Sequence, residues 1–505
     1  MTHPRLLVKE EYDLVVVGGG INGVGIAADA AGRGLSVLVV EKSDLASATS
    51  SSSSKLIHGG LRYLENLEFT MVRNALQERE VMLRIAPHIV KPIRFRLPHL
   101  PWLRPGWMIR LGLFLYDHLA KRTSLPPSDS ISFRTSEPLV DSITHGFEYS
   151  DCKVDDARLV IFNALSAKAD GADILTRTCC IHARQSKGMW QVQLKDEMTG
   201  EQISTRAKCL VNATGPWAQQ FLEQHLQILS PNKIKLVKGS HIVTDQLFEG
   251  EHGYVLQNED GRIVFAIPYY ERFTLIGTTD MDFDGDPASA SISETEKNYL
   301  LDLINYFFKT KLSLHNIHYT FSGVRPLVDN ESNSLSKISR DYDINVYAPG
   351  NEAPLLNVFG GKLTTYRRLA DAAMTAIKPW FPDLGESWTS DRALPGGEFE
   401  SRESLMREYR ASFLWFGEAN IQRFIDSYGS IGLTILAGSE CLEDLGQHFG
   451  HGLYQREIEY LYLHEWALTA EDVLFRRTKI GLFMVAGEIN RVQQYMGGLS
   501  DSRRR

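Results

Sequence analysis

A parallel-stranded α/β domain, interrupted by a mixed-sheet α+β domain and closed by an all-α C-terminal cap, is the architecture this sequence predicts. Three observations carry the prediction. A strand, a glycine turn, a helix and a second strand follow one another from Tyr12 to Glu41. A second strand, glycine turn and helix run from Leu355 to Ile377, with short strand-like runs in between. From Ser401 to Gln494 the pattern is helical throughout.

The opening unit begins with Asp13-Leu14-Val15-Val16-Val17, a β-branched run that reads as a buried parallel strand. The turn Gly18-Gly19-Gly20-Ile21-Asn22-Gly23 follows directly, then a small-residue helix and a strand from Ser36 to Val40 ending at Glu41. Each glycine has a task in a Rossmann-like dinucleotide site: Gly18 makes the tight turn, Gly20 admits a pyrophosphate, and Gly23 packs helix on strand. Ile21 and Asn22 open the helix, whose free N–H groups and positive dipole end face the phosphates. Glu41 is placed to accept from the adenosine ribose hydroxyls.

Next comes an unbroken hydroxyl run, Thr49 to Ser54, leading into Lys55-Leu56-Ile57-His58-Gly59-Gly60-Leu61-Arg62-Tyr63. On its own a serine run is a flexible linker. Here it lies where an extended ligand would continue, so Thr49, Ser50, Ser54, Lys55, Leu56 and His58 are read as cofactor contacts. Small residues at Ala213-Thr214-Gly215-Pro216 end a later strand and let backbone approach the same ligand, with Thr214 and Gly215 as contacts. Cys180 is counted with them. The second glycine turn, Gly360-Gly361-Lys362-Leu363-Thr364-Thr365, has no purpose in a simple NAD domain. At a flavin, Gly361, Lys362, Leu363 and Thr364 would present a helix N-terminus to the pyrimidine edge of the ring.

GGGINGVGIAADAAGRG and SSSSKLIHGGLRYLE together resemble the FAD-dependent glycerol-3-phosphate dehydrogenase family, respiratory and quinone-linked. VDDARLV, NATGPW, KGSHIV, FSGVRPL, FGGKLTTYR and LPGG extend the resemblance, in order, over nearly the whole chain. It is nearest to the bacterial aerobic enzyme and poorest over the first ten residues and the C-terminal end. The resemblance implies FAD, sn-glycerol 3-phosphate as substrate, a quinone acceptor and a homodimer on the cytoplasmic face of the inner membrane; no CxH-type attachment signal stands out, so non-covalent FAD is expected.

Composition sets the outer bounds. A chain of 505 residues needs two or three domains, and 43% apolar with 10% aromatic residues is globular. A net charge of −8 argues against general nucleic-acid binding. Met1 to Lys9 carries no apolar signal region, and no stretch is apolar for the roughly 20 residues a membrane span needs. The five cysteines have no metal-ligand spacing, and reduced thiols in the cytoplasm are expected.

Lys91 to Arg122 stands out in an acidic protein. It carries seven basic residues against Asp117, interleaved with Trp102, Trp107, Phe114 and Leu115, and four prolines break its first half. Attachment to an anionic membrane surface is expected of it, the alternative being an ordinary domain helix whose arginines bind phosphate or acids. The expected division is 1–90 for the first part of the FAD domain, 91–123 for this surface segment and 124–230 for the FAD domain with inserted strands. Then come 231–350, mainly for the substrate domain, 351–385 for the closing strand and helix, and 386–505 for the cap. Arg476-Arg477-Thr478-Lys479 reads as a solvated or inter-domain charged face.

Oxidising a phosphorylated secondary alcohol needs cations for the phosphate, a base for the hydroxyl proton and a C–H aimed at the flavin. Arg62 and Arg325 are the anion clamps, because guanidinium binds phosphate bidentately. Tyr63 and Thr365 add hydroxyls, and Lys362 holds a substrate oxygen or stabilises the flavin anion. His241 is preferred to His58 as base, His58 lying beside the flavin, although a lone histidine is more often structural. An inter-domain ion pair remains the alternative for Arg325, and a surface lysine for Lys362. Other functions stay open: an oxidase of the same substrate, an amine or amino-acid oxidase, or a flavoprotein that only scaffolds.

Overall fold

The computed structural model describes residues 8–134, 138–259, 261–328 and 341–504. Of the N-terminal stretch read for a signal only Val8 and Lys9 fall within it, and Arg505 of the basic tail lies outside.

The first sheet contains β1 (Glu11–Val17), β2 (Val37–Val40), β7 (Asp173–Leu175), β8 (Thr178–Ser186), β9 (Met189–Asp196), β10 (Gln202–Asn212), β17 (Tyr342–Tyr347) and β18 (Leu355–Gly360), numbered in chain order. The run β18-β10-β1-β2-β7 is parallel, with Val15 opposite Leu210 on one side and Leu38 on the other. Parallel strands are covered on both faces, which is why Leu14, Val15 and Val16 are fully buried. Helices α1 (Ile21–Gly32), α4 (Asp156–Ala169) and α7 (Tyr366–Ile377) cover one face. The β8-β9 hairpin and the short α5 (Ala218–Phe221) cover the other. The glycine turn works as expected. Gly18 has φ +114°, and a Cβ on Gly23 would lie 1.9 Å from the Gly18 carbonyl oxygen, so α1 packs on the turn only with glycine there. Asp155 caps α4, its side chain accepting from the Arg158 N–H.

The second sheet is mixed and larger. It contains β3 (Leu56–Ile57), β4 (Val90–Pro98), β5 (Asp129–Ser132), β6 (His145–Val154), β11 (Ile234–Asp245), β12 (Gly253–Gln257), β13 (Ile263–Tyr269), β14 (Phe273–Gly277), β15 (Met281–Asp282) and β16 (Ile317–Val328). Its order is β15-β11-β14-β13-β12-β4-β6-β3, with β16 on β11 and β5 on β6; only β4 and β12 pair in parallel. Helix α6 (Glu294–Phe307), started by a Ser293/Glu296 capping box, covers one face. Helices α2 (Phe69–Ile85) and α3 (Gly106–His118) pack on the other.

This sheet corrects the expected boundaries. β3 sits inside 1–90, β4 falls almost wholly in the 91–123 stretch, and β5 and β6 sit inside 124–230, yet all four belong to the second sheet through their pairing with one another. β17, inside 231–350, belongs to the first sheet through its pairing with β18.

The cap has α8 (Arg402–Phe413), α9 (Glu418–Tyr428), α10 (Ile431–Leu436), α11 (Gln455–His464) and α12 (Ala486–Arg504), with a core of its own around Tyr409, Ile421 and Leu461. It is not purely helical, since β19 (His448–Gly450) and β20 (Leu453–Tyr454) form a small hairpin. Of the two readings of the Arg476–Lys479 run, the inter-domain face is the one the structure shows. Arg477 and Lys479 are buried against the first domain, where Asp44 and Asp155 receive them.

The basic surface segment is also different from its sequence. Arg94 and Arg96 pair with Glu148, Lys91 with Asp426 at 2.5 Å, and Arg122 with Asp117 at 3.0 Å. Arg104, Arg110 and Lys121 stay exposed, and among them Trp107 (67%), Leu111 (51%) and Phe114 (56%) form one apolar stripe of α3. No helix among the described residues is long and apolar enough to cross a membrane.

Candidate active site

Between the two sheets lies a cavity of about 1330 Å³. At one end it is lined by Glu41, Cys180, Thr214 and Gly215, contributed by the ends of strands of the first sheet or the residues just past them. Gly18, Gly20, Ile21, Asn22, Thr49, Ser50 and Ser54 line its middle. At the far end are Leu56, His58, Tyr63, Arg325, Gly361, Lys362, Leu363 and Thr364. The glycine turns meet there: Asn22 Nδ2 donates to the Gly360 carbonyl at 3.1 Å.

Glu41 reaches back to its own turn. Its Oε2 accepts from the Gly19 N–H at 2.7 Å and its Oε1 from the Ser43 N–H at 2.8 Å. Burial pushes its pKa up against the pull of those two amides. Each carboxylate oxygen keeps a further lone pair for a ribose hydroxyl. The hydroxyl run is held from several sides. Ile21 N–H donates to Ser50 Oγ at 2.9 Å, Thr49 Oγ1 donates to the Val324 carbonyl at 2.6 Å, and Ser53 Oγ donates to Asp156 at 2.7 Å. These residues fit an extended dinucleotide. The donor set is hydroxyls and a helix start, and the buried Asn22 Oδ1 has no hydrogen-bond partner.

At the far end, the His58 N–H donates to Thr364 Oγ1 at 3.3 Å, and the His58 ring meets Phe265 edge-on at 6.3 Å. Lys362 Nζ is 2.7 Å from the Met71 sulfur and 3.8 Å from the centre of the Tyr63 ring. No carboxylate among the described residues pairs with it. Arg325 is already paired: one Nη meets Asp280, and the other donates to Thr278 Oγ1 at 3.2 Å. That pair lies within the second sheet and its following loop, not between domains.

Four expected contacts do not line this cavity. Lys55 turns away, its Nζ donating to Asp156 at 2.7 Å and to the Ser51 carbonyl at 2.9 Å. Arg62 is half-buried on a short 3₁₀ turn outside the lining, because that turn points Tyr63 inward instead. The Thr365 hydroxyl is buried without a partner, one residue past the wall. His241 is 1% exposed, stacked on Phe321 at 4.9 Å, with Nε2 3.0 Å from Ser54 Oγ and Nδ1 unpartnered. Burial first, then the charges of Arg325 and Lys55, hold its pKa well below the usual histidine range. Gly23 lies behind the wall, in the packing role expected of it.

Other wall residues went unread. Phe265 and Phe321 are aromatic walls of the far end, and Phe321 stands in the FSGVRPL motif. Trp217, in the NATGPW motif, lines the near end with Lys42 Nζ 3.9 Å above its ring.

A family model described as FAD dependent oxidoreductase matches residues 13–367, and one described as C-terminal domain of alpha-glycerophosphate oxidase matches 387–499. A glycerol-3-phosphate dehydrogenase of Pseudomonas aeruginosa is 55% identical over 494 residues, covering 98% of this chain and 96% of that protein. A D-erythritol 1-phosphate dehydrogenase of Brucella abortus is 46% identical over 484 residues, covering 95% of this chain and 96% of that protein. Among solved structures, the glycerol-3-phosphate dehydrogenase of Bacillus halodurans complexed with FAD superposes with a TM-score of 0.73 at 26% identity, over 97% of this chain and 94% of that one.

Proposed function

This chain belongs to the FAD-dependent glycerol-3-phosphate dehydrogenase family, and we propose that it oxidises sn-glycerol 3-phosphate to dihydroxyacetone phosphate at the far end of the cavity. When bound, FAD supplies the acceptor for the hydride from C2 and passes the electrons on. The observation that carries the reading is the group at the second glycine turn: Lys362, Arg325, Tyr63 and His58 face one space beyond the dinucleotide turn.

Lys362 binds the substrate phosphate, as the cation there that no carboxylate among the described residues neutralises. Arg325, tied to Asp280 and Thr278, orients the substrate more than it attracts it. Tyr63 supplies a hydroxyl donor. His58 takes the C2 hydroxyl proton. It lines the cavity, whereas His241 lies behind Ser54 and Phe321 in surroundings that keep its imidazole neutral. His241 acts through Ser54, whose hydroxyl it orients.

The acceptor in this reading is a membrane quinone. The apolar stripe Trp107–Leu111–Phe114 of α3 supports it by offering a face that can enter the headgroup boundary. The protein then sits peripherally on the cytoplasmic face of the inner membrane. A homodimer is supported by the family resemblance.

The experiment is anaerobic addition of glycerol 3-phosphate to the purified yellow protein, read at the flavin band. Rapid bleaching, reversed by a soluble quinone and only slowly by air, is the expected result. Fast recovery in air with stoichiometric peroxide would make the protein an oxidase. Faster bleaching by D-erythritol 1-phosphate would move the substrate to the four-carbon alcohol.

A further inference from the structure

The cap meets the first domain through buried charges, and those charges sit on the back of the cavity wall. Asp44 is fully buried, three residues past Glu41. Both its oxygens are taken by the cap: Arg477 Nη1 and Nη2 donate at 2.7 and 2.8 Å, and Arg476 Nε at 2.7 Å. The loop that carries Asp44 is part of the wall, since Ser43, Ser47 and Thr49 face the cavity. On its other side the Ala46 N–H donates to the Gly19 carbonyl at 3.1 Å. The loop is therefore strung between the glycine turn and the cap.

A second anchor lies one helix away. Lys479 Nζ donates to Asp155 Oδ2 at 2.5 Å. The next residue, Asp156, holds Ser53 of the hydroxyl run and Lys55 Nζ. Arg177 joins the seam as well: its side chain pairs with Asp472 of the cap at 2.8 Å, and its N–H donates to the Ser43 carbonyl at 2.9 Å. A carboxylate buried as Asp44 is stays inside only while its cations are in place; without them it is drawn to water with its loop.

We infer that Arg476, Arg477 and Lys479 are positioning residues of the cofactor site, holding the wall loops 43–49 and 51–55 from behind so that cap docking and FAD binding stabilise each other. This rests on the reading that the cavity takes FAD. Coupling of this kind is reciprocal: whatever the cap contributes to FAD affinity, FAD returns to cap docking.

The seam contains its own control. Arg158 and Glu465 form an equally buried pair across the same interface, Nη2 to Oε1 at 2.9 Å; Glu465 Oε2 also lies 3.8 Å from Arg477 Nε, but neither side chain hydrogen-bonds a described residue of the wall loops, so the pair reaches them only through Arg477. A cap that is mere structural support predicts the same result for both pairs.

The test uses full-length protein stripped of FAD and titrated with FAD by flavin fluorescence, in wild type, Asp44→Asn, Arg477→Met and Glu465→Gln. Asp44→Asn and Arg477→Met should weaken FAD binding by about tenfold or more, equivalent to about 1.4 kcal/mol. Glu465→Gln should lower the melting temperature with FAD affinity within about twofold of wild type. Hydrogen exchange on the wild-type protein is the second readout and needs no variant to fold. Adding FAD should slow exchange in the cap over 471–479. Equal effects on FAD affinity from Asp44→Asn and Glu465→Gln would overturn the proposal, as would cap exchange indifferent to FAD. Wild-type protein that takes up no FAD would bring down the cofactor assignment, and this inference with it.

Discussion

Tyr116→Phe removes one oxygen from a fully buried network that ties α3 to the His58 segment. The Tyr116 hydroxyl donates to Asp151, 2.7 Å from Oδ1 and 2.9 Å from Oδ2, and accepts from the Gly59 N–H at 2.8 Å. Arg79 Nη1 completes the set, donating to Asp151 at 2.9 Å and to the Ser150 carbonyl at 2.8 Å. Burial pushes the Asp151 pKa up, with Arg79 pulling against it. Phenylalanine keeps the ring and opens no cavity, but Gly59 N–H is left with only a 3.4 Å contact to Asp151. A buried donor so stranded costs about 1–3 kcal/mol. Asp151→Asn is harsher, because it leaves the buried Arg79 guanidinium with only the longer 3.4 Å contact to Glu80 as counter-charge, at a cost of up to about 3–5 kcal/mol. The assay is urea unfolding of the FAD-loaded protein by tryptophan fluorescence, with turnover on the same preparations. Tyr116→Phe should lower the midpoint and slow turnover with FAD content unchanged, since Gly59 anchors the neighbouring His58 against Thr364. The double variant should cost less than the sum of the two. A Tyr116→Phe midpoint equal to wild type, or an Asp151→Asn loss no larger than that of Tyr116→Phe, would refute the reasoning.

Other outcomes follow from the same geometry. Gly23→Ala should yield protein without bound flavin, checked by its absorbance, because the new methyl would lie 1.9 Å from the Gly18 carbonyl oxygen. Lys362→Met should keep FAD and lower kcat/KM for glycerol 3-phosphate roughly ten- to a hundredfold, the worth of one charged hydrogen bond, measured with a soluble dye acceptor. Glu296, 3% exposed, is pushed up by burial, but Lys238, the Ser293 amide and two hydroxyls outweigh this and bring its pKa to about 2. Its contribution, about 3 kcal/mol, is therefore present above the ordinary glutamate pKa and is lost as pH falls from about 4.5 towards 2. Glu296→Gln should flatten acid unfolding across that window. Trp107→Ser combined with Phe114→Ser should weaken co-sedimentation with anionic vesicles, at about 1.5–3 kcal/mol per side chain, and leave turnover with a soluble acceptor intact.

What could be read from the sequence was local, and what could not was the partner of each charge. The unit from β1 to β2 is legible because strand, turn, helix and acid are contiguous and each glycine has a steric reason. The turn after β18 is legible for the same reason. β4 was hidden by its prolines. Pro92 lies opposite Cys152 of β6, while the parallel partner β12 reaches only Phe95 and Arg96, so the side facing away from β6 is open at Pro92 and needs no N–H there. His241 sits on a strand whose neighbour, Phe321, comes from β16, and only that register buries the ring. The charge errors share one origin. Arg94 and Arg96 find Glu148 across β6, and Arg477 finds Asp44 from the opposite end of the chain. Counting charge along the sequence measures an unpaired field only where no partner comes from elsewhere. Around α3 the cancellation is partial: Arg122 meets Asp117, while Arg110 and Lys121 stay exposed beside the Trp107, Leu111 and Phe114 stripe. Contact with a bilayer there draws on the apolar area and on these cations together, so raised salt should weaken it in part and removing Trp107 and Phe114 should weaken it further.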